Sequence, residues 1–520
     1  MKLHPVFTIN GKPVLGTYGR TDLEALALAK EVGMNLVFGG ADLLDAETAR
    51  GKFCLENGIK VMYPLTGHVH GWPSLSDDIS ANQTQIPIHA GAPLPGPGLV
   101  QIDDERIRYR ESTHAALLGC ERGAEGTSPA SHRAGLILFW PEPLAAEVAD
   151  IADSPNLFGY YVLDDTTGPA LSALRAMYRI VKRTDGAGRP VCGGYSGATT
   201  LHNFAQDAAD VLLLYHYPVL KTGYDRTMTS VETQWMLMEA RTRAPGVPFF
   251  GIYQAFWGGE WNKQRPLTCA EMREQMEDFV REGASGLIAF YLAPEGSLGG
   301  WNLDEKMQRV IREVNQEIAA TGELTISAEP AELARRRFQP TGHWVHPREV
   351  PGVVPAWHVI APFADIEGKM LDAVFPPERE VNLDASYPGK GRAIRWMTQR
   401  AAAGAIGLVE LYGPVEHLAQ CVAYATCGVT SPCEQHVQMR FSSDDDAIVW
   451  LNQRQVWRHD GPRGVHWDSD VVSLRLPVGD SRILMKVYNR GGQWGFFMRF
   501  TDAAGKPLGN LTFSPVAEGG

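Results

Sequence analysis

Two adjacent carboxylates, Asp164 and Asp165, close the apolar run FGYYVLDD at residues 158–165. Side chains alternate along an extended strand, so one of the pair enters a given face while the other is left to cap a helix or bind loop backbone. Two carboxyl groups can share general acid/base or nucleophilic work on a glycosidic bond. They must then stand about 5–5.5 Å apart for a covalent route, or about 6.5–9.5 Å apart for direct attack by water. The candidate partners are Glu260 in FWGGEW, Glu295 in LAPEGS and Asp42 in GGADLL.

Around these acids the sequence supplies Tyr18, Arg20, His216 and Gln254 as polar groups, and Tyr217, Trp257, Trp261, Tyr291 and Trp301 as aromatic ones. Aromatic faces stack on the C–H surface of a pyranose ring, and carboxylates accept from its hydroxyls. Basic residues are sparse in this set, so a neutral sugar fits it better than a phosphorylated ligand. A competing chemistry is metal-assisted hydrolysis by His68 and His70 of HVH with His216 and Asp164 or Asp165. The HVH lies in a Pro- and Gly-rich stretch and the last candidate strand ends in no Asp, so no metal is expected at the site. Ser196 sits in GGYSGA without a GxSxG elbow, and no Walker A loop occurs.

These residues fall where short apolar runs end. Eight such runs, at residues 14–19, 35–40, 59–65, 158–165, 190–196, 211–217, 249–256 and 286–294, alternate with helical stretches such as TDLEALALAKEVG and CAEMREQMEDFVREG. Runs that are apolar throughout suit strands buried on both faces, and strands joined by helices are parallel. The expected fold is a (β/α)8 barrel over residues 1–320, with its functional groups at the C-terminal strand ends. A doubly wound open sheet is the rival, weakened because no GxGxxG follows the first strand. The third unit carries an insertion at residues 66–140, read as β-rich because LVQIDDERIRYRES alternates apolar and polar residues. Residues 321–354 read as a linker, and residues 355–520 as an all-β sandwich of short alternating strands.

The 520 residues carry 48 Lys and Arg against 60 Asp and Glu, a net charge of -12, and no basic run. Nucleic-acid binding, which needs clustered positive charge, is excluded. No apolar stretch is long enough to span a bilayer, so no membrane partner is expected. The first residues lack an apolar leader, which reads as cytoplasmic, or as secreted if a leader has been trimmed. Seven cysteines without a CxxC spacing read as free thiols, with one disulfide among Cys421, Cys427 and Cys433 left open.

The segment SPNLFGYYVLDDTTG resembles the strand-four segment "P.L.GYY..DEP" of clan A-like glycoside hydrolases. The resemblance implies that the acid matching the motif, Asp165, is the general acid/base, shorter by a methylene than the family's Glu. That family carries its second carboxylate at the end of strand seven, where this chain has Gln254, so Glu260 is the nearest replacement. Gln254 also leaves open a barrel that binds carbohydrate without chemistry. HVH is similar to the strand-one pair of metal-dependent amidohydrolases, displaced here past strand three. The insertion resembles a β-rich module of phage tail and fibre proteins in its "IDDE.I.Y … G..RG..GT.A..H..G" pattern, which implies a structural part and, as an alternative, a virion-associated protein. WHVIAPF, YPGKGRAIRW and SSDDDAIVWLNQRQVW resemble sandwich modules appended to bacterial glycosidase-like proteins. In related protective-antigen-type sandwiches an Asp pair binds calcium and sugar, implying a structural calcium among Asp444, Asp445 and Asp446. No other cofactor is expected. The expected partner is a carbohydrate substrate, with the oligomeric state left open.

Overall fold

The computed structural model describes residues 1–69, 72–90, 92–164, 169–197, 203–221, 223, 226–258, 264–292, 301–302, 304–326, 352–401, 404–413 and 417–515. Eight parallel strands close on themselves: β1 (Lys12–Gly19), β2 (Leu36–Phe38), β3 (Lys60–Pro64), β4 (Leu157–Leu163), β5 (Val191–Tyr195), β6 (Val211–His216), β7 (Phe249–Gln254) and β8 (Gly286–Leu292). Each pairs with the next, and β8 pairs back onto β1. The doubly wound alternative is thereby excluded, since its sheet has two free edges.

The outer ring is α1 (Leu23–Glu31), α2 (Ala49–Asn57), α3 (Pro141–Ile151), α4 (Leu171–Asp185), α5 (Arg226–Arg243), α6 (Cys269–Arg281) and α7 (Glu305–Thr321). Local chemistry fixes their ends. Thr268 and Glu271 form a reciprocal capping box on α6, and Asp22 and Asp304 cap α1 and α7. The α6 helix lies close on β7, because a Cβ at Gly251 would stand 2.2 Å from the Phe279 side chain.

The barrel has two apolar shells. Leu212 and Leu214 of β6 face the helices, while Leu213 and Tyr215 face the barrel interior with Phe38, Met62, Phe158, Tyr161, Phe250, Ile252 and Ile288. Strand β4 breaks this alternation. Its register shifts between Leu157 and Gly159 and again between Tyr161 and Leu163, so Phe158 and Tyr161, three residues apart, both point inward.

After β3 the chain leaves the barrel for a β-rich excursion: a four-stranded antiparallel sheet of Ser74–Leu75, Ile86–His89, Glu111–Ser112 and Ala116–Leu118, and the hairpin Gly98–Ile102 with Glu105–Tyr109. Ile86, Ile88, Val100, Ile107 and Leu117 form its core. The motif residues that carry the fibre-module resemblance meet in one buried network. Arg122 pairs with Glu105 at 2.7 Å, and His132 bridges Glu105 at 2.8 Å and Asp103 at 2.9 Å. Burial pushes the Glu105 carboxyl up, but Arg122, the Ala130 N–H, His132 and the Gly123 N–H outweigh it and hold it at about 2.

Beyond residues 327–351, which take up most of the expected linker and lie outside the described residues, two antiparallel sheets face each other. Ala356–Ala364, Cys421–Ser431, Gly479–Asn489 and Asp446–Leu451 lead one sheet, and Gln435–Asp444, Gly495–Thr501 and Asp470–Leu476 lead the other. Trp357, Phe441, Met485, Phe496 and Met498 fill the space between them. All seven cysteines are free thiols, so the disulfide left open among Cys421, Cys427 and Cys433 is not formed.

Candidate active site

Asp164 follows the last residue of β4 and is half-buried at the C-terminal end of the barrel. Because β4 carries two register shifts, the carboxylate turns toward the interior tyrosines. Tyr215 donates a long hydrogen bond of 3.4 Å to its Oδ1, and the Tyr161 hydroxyl also hydrogen-bonds it. Tyr18 completes the group: burial first, then the Asp164 charge, pushes its phenol up to about 12. Burial and Asp164 likewise raise the Tyr161 phenol well above its ordinary value. Protonated phenols around a carboxylate are donors at any physiological pH, and donors favour its charged form.

An aromatic wall stands beside this group. Tyr217 stacks on Phe290 at 5.1 Å and meets Phe256 edge-on at 5.2 Å, and Tyr18 lies 5.4 Å from Phe290. Tyr291 is half-buried next to Arg20 and Asp22. Burial raises its phenol, which the Arg20 charge opposes and the Asp22 charge reinforces. Arg20 pairs with Asp22 at 2.7 Å, and Asp22 also accepts from the Ala25 N–H as the α1 cap. Arg20 thus serves an ion pair at the rim.

Three expected contacts have other places. Gln254 is fully buried: its side-chain oxygen accepts from the Val219 N–H at 2.9 Å, and its amide nitrogen donates to the carbonyls of Val219 at 3.2 Å and Phe256 at 3.1 Å. It clamps the chain after β6 to the chain after β7 and has no surface to offer a sugar. His216 continues the outward alternation of β6, away from the interior side chains. Burial lowers its pKa, with Glu232 of α5 opposing and His466 of the sandwich adding to the effect. Asp42 sits in the one-turn helix Ala41–Leu44 and pairs with Arg50 at 2.6 Å, an arrangement that anchors α2.

Trp257 pairs with Asn302 in a two-residue ladder that also contains Trp301, and its ring packs on the strand–helix shell. Asp165, Glu260, Trp261, Glu295 and His70 lie outside the described residues. His68 is tied to Glu147 at 2.7 Å, and the same carboxylate accepts from Tyr63 at 2.8 Å. Among the described residues no group of three or more His, Cys, Asp or Glu is placed to hold a metal ion.

The sequence reading did not single out Tyr161 and Tyr215. The signal for Tyr215 was present, since its i, i+2 spacing to Leu213 and Val211 puts all three on the inner face of β6. That for Tyr161 was hidden by the β4 bulge.

In the sandwich, the Asp cluster is held by arginines. Arg490 grips Asp446 with two bonds of 2.7 Å, while the Arg490 and Arg463 backbone N–H groups donate to Asp445 at 2.8 and 3.1 Å. Burial and the neighbouring Asp445 charge push Asp444 up to about 8.

A closed eight-stranded parallel barrel with an acid at the end of its fourth strand, joined to an antiparallel sandwich, is the class of protein that the fold defines. No family model matches the chain, and no curated protein matches it. Solved structures similar to it include several glycosidases. A β-D-glucuronidase from Dictyoglomus thermophilum matches at 12% identity and TM-score 0.34, over 58% of this chain and 50% of that one. A GH2 β-galacturonidase from Eisenbergiella tayi matches at 12% and 0.35, over 59% and 51%. A β-galactosidase from Bacillus circulans sp. alkalophilus matches at 11% and 0.36, over 60% and 57%. The matches span about half the length of those proteins, and the fold assignment rests on the strand pairing itself. No helix among the described residues is long and apolar enough to cross a membrane.

Proposed function

We propose that this chain is a glycoside hydrolase acting on an oligo- or polysaccharide at the C-terminal face of the barrel. The observation that carries the reading is the placement of Asp164, a carboxylate turned into the mouth among Tyr18, Tyr161 and Tyr215, beside a wall of aromatic rings. In this reading Asp164 takes the acid/base role that the sequence resemblance assigned to Asp165. It protonates the leaving glycosidic oxygen and then takes a proton from water. Tyr217 offers a ring to the sugar, and Glu260 or Glu295 supplies the second carboxylate.

No cofactor enters this chemistry. The calcium expected among Asp444, Asp445 and Asp446 does not fit the donor set, because the Arg490 guanidinium already occupies the open side of Asp446 and backbone N–H groups occupy Asp445. The test is release of reducing ends from a panel of polysaccharides and aryl glycosides by wild type, Asp164→Asn and Asp165→Asn. Release by wild type that is lost in Asp164→Asn supports the assignment.

Gln254 favours a second reading, a barrel that binds carbohydrate without cleaving it. The strand-seven position that resembles a nucleophile site is an amide sealed into a loop clamp. Glycan binding by wild type with no release across the panel would select it.

A further inference from the structure

Outside the barrel, the excursion after β3 and the sandwich border an open cavity of about 520 Å³, within the size range of small-molecule sites. Asp77, Asp78 and Arg133 of the excursion line one side, and Arg392, Arg395, Trp396 and Tyr412 of the sandwich line the other. The seam is tightly built: a Cβ at Gly135 would stand 3.4 Å from the Tyr412 carbonyl and 3.4 Å from Pro169. Arg392 is fixed there by donating to that carbonyl at 3.0 Å.

One donor in the lining lacks an acceptor. Tyr412, 4% exposed, has its hydroxyl hydrogen-bonded by the Ala361 backbone, while the Trp396 indole nitrogen has no hydrogen-bond partner among the described residues. A buried donor left unpaired is costly, so a ligand oxygen there would be favoured. The charged lining comprises three guanidinium groups and two carboxylates, a net of one positive charge. Each of those carboxylates accepts one backbone N–H, Asp78 from Ala134 at 2.9 Å and Asp77 from Asp78 at 2.8 Å. The complementary ligand is therefore rich in acceptor oxygens, carries one negative charge and has a face that an indole can cover.

We propose that this cavity is a second carbohydrate site, taking a short oligosaccharide that bears a uronate carboxylate. Arg392 and Arg395 take the carboxylate, Trp396 donates to a sugar oxygen, and Asp77 accepts a hydroxyl. The ligand class rests on the carbohydrate reading of the chain, but the site itself is separate from the mouth.

The test is calorimetric titration of the full chain with trimers of galacturonate, glucuronate and mannuronate, and with neutral galactotriose. At least one uronate trimer is expected to bind wild type with a Kd below 1 mM and at least tenfold more tightly than galactotriose. Arg395→Gln and Trp396→Ala should each weaken that binding at least tenfold, with unchanged circular dichroism, while Asp164→Asn leaves it intact. Failure of every uronate trimer to bind, or equal binding of galactotriose, would overturn the proposal. So would loss of binding in Asp164→Asn with retention in Arg395→Gln, which would place the ligand in the mouth and leave the hydrolase reading standing. Hydrolysis that survives Asp164→Asn, with seam binding still lost in Arg395→Gln, would remove the mouth assignment and keep this one.

Discussion

At the residue scale the outcome turns on which acid faces the mouth. Strict alternation leaves Asp164 and Asp165 equivalent until the strand register is known, and the two shifts in β4 turn Asp164 inward toward Tyr161 and Tyr215. Asp164→Asn is expected to lower kcat by about 10²- to 10⁴-fold, the range for loss of a general acid/base, with an unchanged melting temperature. Asp165→Asn should cost far less, and the opposite order in steady-state assays would return the role to Asp165. Gln254 makes a contrasting prediction. Gln254→Glu replaces the amide donor to the Val219 and Phe256 carbonyls with an acceptor, so it should destabilise by about 1–3 kcal/mol in urea unfolding. A gain of glycosidase activity instead would show that the position is a lapsed nucleophile.

At the element scale the excursion joins the buried network of Glu105, Arg122 and His132 to an apolar core. Removing one partner of a buried ion pair strands the other charge, so Arg122→Ala should cost about 3–5 kcal/mol. The same network sets a pH window. Glu105 is lowered from 4.5 to about 2, so its contribution is complete above 4.5 and is lost as pH falls from there toward 2. His132 is raised from 6.5 by Asp103 and Glu105 against the effect of burial. Its contribution is therefore complete below 6.5 and is lost as pH rises through its folded value. Thermal melts across pH should place the excursion's greatest stability between these limits, and Arg122→Ala should flatten the acidic side. A wild-type profile with no acid limb would argue against the network.

At the scale of the whole molecule, barrel and sandwich meet through aromatic rings. Trp235 of α5 lies 5.5 Å from Trp467 and 4.9 Å from Phe497, and the Trp467 N–H donates to Glu232 at 2.8 Å. Trp235 is 1% exposed, so Trp235→Ala should cost about 3–5 kcal/mol and make the stretch between α7 and the sandwich easier to cleave in limited proteolysis. Chelation tests the other end of the sandwich. With Arg490 and the Arg463 backbone compensating Asp445 and Asp446, EDTA should leave the melting temperature unchanged, whereas Arg490→Ala should lower it. A drop with EDTA alone would restore the calcium.

The sequence by itself determined that apolar strands alternate with capped helices, and so pair in parallel, and that short alternating strands follow them as an antiparallel sandwich. Closure into a barrel in place of a doubly wound sheet was decided by the pairing of β8 with β1. Local pattern also located the strand ends, and Tyr18, Asp164, Tyr217 and Tyr291 stand next to the last residues of β1, β4, β6 and β8. Direction and partnership were decided only by tertiary structure. The bulges in β4 and the outward alternation of β6 depend on register with neighbouring strands, which brought Asp164 to Tyr215 and turned His216 away from the barrel interior. The fates of Gln254, Asp42 and the Asp cluster depend on Val219, Arg50 and Arg490, partners 35, 8 and 44 positions away along the chain. No periodicity encodes such pairings, since a hydrogen bond or ion pair is set by where folded segments meet and leaves no repeating signal in either segment alone.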